Sequence, residues 1–134
     1  MPPVFLNLAE VLEIHQDQIV RYGGTAGIRD LELLKSALGL PTANYDGEFL
    51  HADIYEMAAA YLFHIVRNHP FIAGNKRTGT VSALVFLLIN GCDFSTSENK
   101  LVNAVIAIAS GKMTKAELAL FFRKWGKKGA RKRM

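Results

Sequence analysis

Two consecutive segments in the middle of the chain carry the clearest helical pattern. Residues 53–67 place apolar side chains on one stripe at helical spacing. The stripe consists of Ile54, Met57, Ala58, Tyr61 and Ile65. Residues 76–90 are apolar on nearly all sides from position 81 to position 89, which is typical of a helix buried in a core. Because Pro70 and Gly74 interrupt the chain between the two segments, we predict two long helices joined by a tight turn.

Polar residues that can cap a helix mark the starts of four more helices. Three pairs have the spacing of a capping box, and Asp30 can cap a helix by itself. The pairs are Asn7 with Glu10, Ser95 with Glu98, and Thr114 with Glu117. The helices that follow are predicted to cover about 8–20, 31–38, 101–109 and 115–125. These patterns together predict an all-α fold of six helices, with the helix of residues 76–90 buried at its centre.

The segment 42–50, between the second and third helices, has no helical pattern. Asp46 and Gly47 form a tight-turn signal, and aromatic residues flank it. The segment is therefore predicted to be either a small hairpin or a plain loop. No other part of the sequence indicates a pair of strands.

The length and the cysteine content limit the class of protein. With 134 residues the chain suffices for one domain that folds without a disulfide or a structural metal. Cys92 is the only cysteine, which excludes an intrachain disulfide and a multi-cysteine zinc site and favours a reduced, cytoplasmic setting. The longest apolar run has seven residues, and the N-terminus lacks the pattern of a secretory signal. We therefore expect a cytoplasmic protein with no membrane segment.

The positive charge is concentrated at the C-terminus. The chain has 16 Lys and Arg residues and 12 Asp and Glu residues, a net charge of +4. Five of the cations lie in the last eight residues. The rest of the chain has 11 cations and 12 anions, which is a net charge of −1. We predict a domain of residues 1–125 followed by a basic, disordered tail of residues 126–134. Since the domain itself is not basic, nucleic acid is not favoured as a partner, except through weak binding of RNA by the tail.

The turn before the buried helix combines features that suit an anion. Gly74 allows a tight turn, and Asn75 can cap the helix that follows. The first turn of a helix presents unpaired N–H groups, which bind anions. Lys76 and Arg77 lie in that turn although cations there oppose the helix dipole, which favours a phosphate bound between them. His69, which precedes the turn, can take a proton from a hydroxyl at neutral pH.

The same residues also fit an ordinary connection between two helices. Pro, Gly and Asn are common in such turns, and surface Lys and Arg side chains are usually only solvated. His69 could then cap the free carbonyls at the end of the preceding helix. Spacing and chemistry alone leave both interpretations open.

Residues 69–77, His-Pro-Phe-Ile-Ala-Gly-Asn-Lys-Arg, resemble the signature loop of the Fic/Doc family, H-x-F-x-[DE]-[AG]-N-[GK]-R. Only position 73 departs from that pattern. The likeness extends over about residues 10–125 and includes Ile14-His15, Arg21-Tyr22-Gly23-Gly24 and Gly27-Ile28-Arg29-Asp30. It implies a compact six-helix Fic/Doc-type bundle whose functional site is built around residues 69–77.

Lys76 distinguishes two branches of that family. Adenylyltransferases of the Fic type have glycine there and usually carry a second arginine at the position of Thr80. The sequence Asn-Lys-Arg without that arginine resembles the Doc type, whose members are toxins of toxin–antitoxin systems. This likeness implies an ATP-dependent kinase that transfers the γ-phosphate to a threonine of elongation factor Tu and blocks translation. Adenylyl transfer (AMPylation) to a protein hydroxyl is the alternative activity.

The likeness also implies an antitoxin as a partner. Fic enzymes often carry an inhibitory helix with the pattern [ST]-x-x-x-E-[GN], and this sequence does not contain that pattern. Restraint would then come from an antitoxin whose C-terminal segment folds onto the toxin. A catalytically inactive module that only binds the antitoxin is a further alternative.

The likeness assigns roles to the matched residues. His69 is the expected general base on the target hydroxyl, and Phe71 is expected to pin the loop into the core. Residues expected to bind the phosphates of the nucleotide are Gly74, Asn75, Lys76 and Arg77, with the Asn75 side chain orienting phosphate. The expected catalytic set is His69, Asn75, Lys76 and Arg77. Residues 42–50 correspond to a flap that aligns the backbone of the target protein.

Position 73 departs from the family where the departure affects the chemistry. The family has Asp or Glu there to hold Mg²⁺, whereas this chain has Ala73, and a methyl group cannot ligate a hard cation. The chain is then a weakened or inactive natural variant, or it carries an engineered substitution, or another carboxylate supplies the ligand. The candidate carboxylates are Asp46, Glu48 and Asp53. ATP is the expected cofactor, no loop residue is an expected metal ligand, and Mg²⁺ is in doubt.

Three further histidines and the cysteine show no spacing that indicates a site. His15, His51 and His64 form no metal-binding pattern with carboxylates, so capping, core or surface roles are expected for them. His51, which lies next to the predicted flap, is the exception that we single out. Cys92 has no basic neighbour in the sequence that would activate its thiol, so we expect it to be inert.

Overall fold

The computed structural model describes residues 2–128, which form six helices and two small two-stranded sheets. The helices are α1 (Leu8–Tyr22), α2 (Leu31–Gly39), α3 (Ile54–Asn68), α4 (Asn75–Ile89), α5 (Glu98–Ala109) and α6 (Lys115–Trp125). This architecture confirms the predicted all-α bundle of six helices. None of the helices in residues 2–128 is long and apolar enough to cross a membrane.

The helix at the centre of the bundle is α3, not the predicted helix α4. α3 packs against α2, α4, α5 and α6, and most of its side chains are buried. By contrast, Leu88 and Ile89 at the end of α4 are each 42% exposed. The small side chains of Ala58, Ala59 and Ala60 allow neighbouring helices to approach α3 from several sides. The apolar pattern on nearly all sides of residues 81–89 therefore did not identify the most buried helix, which is α3.

Residues 42–50 contain a hairpin. Strands β1 (Asn44–Tyr45) and β2 (Glu48–Phe49) pair antiparallel, with Asn44 opposite Phe49. The two turn residues, Asp46 and Gly47, both have positive φ, at 56° and 84°. An Asp-Gly pair adopts such angles in the turns that match the twist of a hairpin. The structure therefore supports the hairpin rather than the plain loop.

A second pair of strands joins residues 126–128 to the bundle and was not predicted. β3 (Cys92–Phe94) pairs antiparallel with β4 (Gly126–Lys128). A Cβ atom at Gly126 would lie 2.8 Å from Cys92 Sγ and 2.9 Å from the Phe122 carbonyl oxygen, so the close approach requires glycine. Residues 126–128 therefore belong to the fold, which corrects the predicted start of a disordered tail. The rest of that predicted tail, residues 129–134, lies outside the described residues.

The helix starts follow most of the predicted caps. Both halves of the capping box are formed at Asn7 and Glu10 and at Thr114 and Glu117. The predicted box that begins at Ser95 is wrong, because the cap of α5 is Ser97, two residues later, whose hydroxyl accepts from the Lys100 amide. Strand β3 ends at Phe94, and the Ser95 amide donates to the Trp125 carbonyl at 3.1 Å, which keeps Ser95 out of the helix.

Candidate active site

The connection from α3 to α4 starts at a residue in a strained backbone conformation. His69 ends α3 in the left-handed region, with φ 51° and ψ 54°, and its backbone N–H donates to the Ile65 carbonyl. A residue other than glycine in this region costs about 1–3 kcal/mol, so the surroundings must hold it there. The side chain of His69 is exposed. This backbone conformation therefore sets the direction in which the exposed His69 imidazole projects from the chain.

The segment before α2 holds this strained corner in place. Arg29 Nε donates to the His69 carbonyl at 2.6 Å, and Arg29 Nη2 donates to the Asn68 carbonyl at 3.0 Å. The Pro70 carbonyl accepts from the backbone amides of Arg29 and Asp30, at 2.7 and 3.0 Å. Arg29 is thus a positioning residue for His69. Sequence reasoning missed this role, because the two residues are 40 positions apart.

Two further contacts bind the middle of the connection to the rest of the fold. Ile28 and Phe71 form an isolated antiparallel bridge, and the Ile72 amide donates to the Gly27 carbonyl at 3.1 Å. The Phe71 side chain is fully buried in the core, as expected of an anchor. The connection is therefore fixed by backbone hydrogen bonds on one side and by a buried ring on the other.

His15, to which the sequence assigned no special role, packs directly under the connection. Its ring stacks on Phe71, with centroids 3.8 Å apart and planes 8° apart. His15 Nε2 lies 2.9 Å from the carbonyl oxygen of Ala73, and the side chain is 4% exposed. Since a carbonyl only accepts, Nε2 carries the proton in this bond. The available signal was the place of His15 on the buried stripe of α1, together with Val11 and Ile19.

Asn75 does not cap α4 as predicted, because its side chain is bound to the connection. Its side chain is 5% exposed, and Asn75 Oδ1 accepts from the Phe71 amide at 2.9 Å. Asn75 Nδ2 donates to the Phe71 carbonyl, also at 2.9 Å. Both polar ends of the side chain are thus occupied by the connection itself. Asn75 is thus the first residue of α4 and not its cap, and its side chain holds the turn closed.

The start of α4 carries no side-chain cap. Gly74 occupies the cap position with φ 80° and ψ 18°, and no side chain accepts a hydrogen bond from the first turn. The other five helices that the structure describes all have one, from Asn7, Asp30, Asp53, Ser97 and Thr114. The first backbone N–H groups of α4 therefore remain available to an anion.

Two cations lie in this uncapped turn, and they are held differently. Lys76 is exposed and forms no ion pair within residues 2–128. Arg77 is partly buried, where its Nη2 donates to the Gly23 carbonyl at 2.9 Å and its guanidinium lies 5.5 Å from the centre of the Tyr22 ring. The end of α1 thus fixes Arg77, whereas Lys76 is free to reach a ligand.

A cavity of about 480 Å³ lies next to these two cations, between α1, α4 and α5. Its walls are mostly apolar and include Leu101, Val105 and Ile106 of α5. This volume falls in the range of small-molecule sites. Lys76 and Arg77 line the cavity, but His69 does not. The structure therefore brings together the cations and the anion-binding turn, with His69 outside the cavity at the other end of the connection.

The residues around the connection do not fit a magnesium ion held by the protein. The Ala73 side chain lies against Gly24, where an added Cβ would be 3.2 Å from the Ala73 Cβ atom. Among the three candidate carboxylates, Asp46 and Glu48 are exposed in the hairpin. Residues 2–128 contain no group of three or more His, Cys, Asp or Glu side chains that could hold a metal ion.

The third candidate carboxylate, Asp53, is already occupied. It caps α3 by accepting from the Glu56 amide at 2.9 Å, and it forms an ion pair with Arg123 of α6. Burial alone would raise the pKa of Asp53, but the Glu56 amide and the Arg123 guanidinium hold it below its usual range. This corrects the suggestion that Asp53 replaces the missing ligand of position 73.

Comparison with known proteins identifies the family of this chain. Residues 5–87 match the model of the Fic/DOC family. The chain is 33% identical over 110 residues to the protein kinase doc of Escherichia phage P1, which covers 82% of this chain and 86% of the phage protein. It is 39% identical over 72 residues to the toxin Doc of Mycolicibacterium smegmatis, which covers 54% of this chain and 55% of that protein. The chain therefore belongs to the Fic/Doc family.

Proposed function

We propose that this chain is a Doc-type toxin with a phosphotransferase activity that moves the γ-phosphate of ATP to a protein hydroxyl. The observation that carries the proposal is the uncapped start of α4, with Lys76 exposed and Arg77 fixed beside it. The names of the two relatives, protein kinase doc and toxin Doc, support both the kinase chemistry and the toxin role. The proposed target is a threonine of elongation factor Tu, whose modification would block translation in the cytoplasm.

The proposed reaction assigns a separate task to each side chain. The backbone N–H groups of α4, from Gly74 onward, and the Lys76 ammonium bind the phosphates, and Arg77 offsets the charge that develops in the transition state. His69 accepts the proton of the target hydroxyl as its oxygen bonds to the γ-phosphorus. The bond from that phosphorus to the bridging oxygen breaks, and ADP leaves with the electron pair. Asn75 contributes indirectly, because it holds the turn in the shape that presents the amides.

The absence of a ligand at position 73 makes this a weak enzyme in our proposal. Magnesium that bridges phosphates normally supplies several kcal/mol of transition-state stabilisation. Here the chain offers only amides and cations to the phosphates, so transfer relies on them alone. The same observation favours a second candidate function, in which the chain binds nucleotide and antitoxin without turnover.

The proposed partner is an antitoxin whose C-terminal segment folds onto this chain. The relatives with Doc names support such a partner. The cavity of about 480 Å³ beside Lys76 and Arg77 is mostly apolar, and the exposed side chains of Val102 and Ile106 border it. An amphipathic segment of the antitoxin could cover it.

The experiment that tests the activity follows label from ATP to purified elongation factor Tu, with the label in either the α- or the γ-phosphate. The unaltered chain is compared with Ala73→Asp, with His69→Ala, and with Lys35→Met, which removes an exposed cation far along the chain from the site. We expect label from the γ-position only, lost in His69→Ala and retained in Lys35→Met. Label from the α-position would establish adenylyl transfer instead. Nucleotide binding without transfer by any form would establish the inactive binding module.

A further inference from the structure

A second cavity, of about 330 Å³, lies between α3 and α6, and the signature loop contributes nothing to it. Its polar side chains are His51, Glu56, Lys115 and Arg123, and its apolar wall is formed by α6. His51 lies two residues after the hairpin of residues 44–49 and is 5% exposed. The proposed phosphoryl transfer does not use any of these residues.

Lys115 lies between two imidazole rings. Its Nζ atom is 3.0 Å from His51 Nε2 and 3.1 Å from His64 Nε2. An ammonium group can only donate hydrogen bonds, so both ring nitrogens must accept, and both rings must be neutral. Burial and the charge of Lys115 lower the pKa of His51, and the same two causes lower the pKa of His64 to about 4. The geometry and the charges therefore agree on one protonation state.

Burial and the position of Lys115 on its helix favour release of the Lys115 proton, against the two hydrogen bonds that its ammonium donates. None of the three ion pairs in residues 2–128 includes Lys115, so no carboxylate neutralises it directly. Burial lowers the pKa of Lys115, and the more distant Glu56 only partly opposes this shift. Lys115 is also the first residue of α6, where the helix dipole disfavours a cation. Both burial and the dipole therefore favour the neutral amine, which is the nucleophilic form.

We propose that Lys115 is a modification site that reacts with small acyl phosphates. The cavity gives the amine an open face. Arg123 on the same wall pairs with Asp53 through one nitrogen, and its remaining N–H groups can contact the phosphate of the donor. The neutral Nζ attacks the acyl carbon, an N–C bond forms, and the bond from carbon to the phosphate oxygen breaks. Phosphate leaves with the electron pair, and His51 or His64 accepts the proton that Nζ loses and passes it to water. The product is an uncharged amide at Lys115.

The test uses the full chain and acetyl phosphate at pH 7.5, with the acetylation rate of each lysine measured by peptide mass spectrometry. Lys112 is the matched control, because it is exposed and precedes Lys115 by only three residues. We expect Lys115 to react about fivefold faster than Lys112, since a lowered pKa supplies more neutral amine. A rate at Lys115 equal to or below that of Lys112 would overturn the proposal.

Two substitutions separate the role of the imidazoles from that of burial. His51→Asn and His64→Asn keep a polar side chain of similar size but remove the base. We expect both to slow acetylation of Lys115 and to leave the rate of Lys112 unchanged. If neither changes the Lys115 rate, the imidazoles take no part in the reaction, and that part of the proposal fails. Since the assay contains neither ATP nor elongation factor Tu, its outcome is independent of the proposed toxin activity.

Discussion

The side-chain amide of Asn75 forms both hydrogen bonds of the Phe71 backbone, one to its N–H and one to its carbonyl, each at 2.9 Å. A neighbouring strand would pair with a residue in the same way, so Asn75 substitutes for a strand within a tight turn. Phe71 therefore has no unpaired backbone group although its side chain is fully buried. This pair connects the anchor of the loop to the first turn of α4.

Asn75→Ala should destabilise the fold strongly. The substitution leaves a buried N–H and a buried carbonyl without partners, which we expect to lower the free energy of unfolding by about 2–4 kcal/mol. Urea unfolding followed by circular dichroism measures this loss. Asn99→Ala is the matched control, because Asn99 is exposed in α5 and its substitution should change stability by less than about 0.5 kcal/mol. A loss at Asn75 as small as that of the control would contradict the assigned role.

The ring of His15 and its hydrogen bond to Ala73 should each contribute separately to the stability of the fold. His15→Phe keeps an aromatic ring against Phe71 but leaves the Ala73 carbonyl without its donor, which should cost about 1–3 kcal/mol. His15→Ala also removes the ring and leaves a cavity, so its loss should be larger by about 1–3 kcal/mol. Unfolding in urea ranks the two variants. Equal stability of both variants would show that the stacked ring contributes little.

The two histidines beside Lys115 should make stability depend on pH. The pKa of His64 is about 4 in the folded chain, below its ordinary value near 6.5, so the unfolded chain takes up the proton first. Their contribution to stability is therefore complete above about pH 6.5 and is lost as the pH falls toward about 4. For a half-buried group the loss should be on the order of 1–2 kcal/mol after allowance for solvent screening.

Comparing unfolding at pH 7 and pH 5 tests this dependence before most carboxylates titrate. The unaltered chain should lose more stability over this interval than His64→Gln, which has no titrating group at that position. Lys115→Met should also weaken the dependence, because it removes the charge that helps to lower the pKa of His64. An identical loss in all three forms would show that these histidines do not set the pH response.

The local patterns of the sequence predicted the elements but not the contacts that shape the site. Helical periodicity and the capping pair Asn7 with Glu10 are set by residues close in the chain, and the structure confirms both. The contact of Arg29 with His69 and that of His15 with Ala73 span 40 and 58 positions. No local propensity encodes such pairs, so a single sequence offers no signal for them.

The strand pair β3–β4 was missed for a related physical reason. Three-residue strands give little periodicity, and the lysines of β4 are typical of a solvated tail. The element depends on Gly126, whose missing side chain lets the backbone approach Cys92. The sequence also predicted Asn75 as the cap of α4, whereas its side chain pairs with the Phe71 backbone, because an amide can bond to either group.

In our proposal, residues 69–77 form a phosphoryl-transfer site that is weakened by the missing carboxylate at position 73. The most direct test is the initial rate of γ-phosphate transfer to elongation factor Tu by the unaltered chain and by Ala73→Asp at saturating magnesium. A restored ligand should raise the rate at least about 100-fold, which corresponds to about 2.7 kcal/mol of transition-state stabilisation. Equal rates in the two forms would contradict the claim.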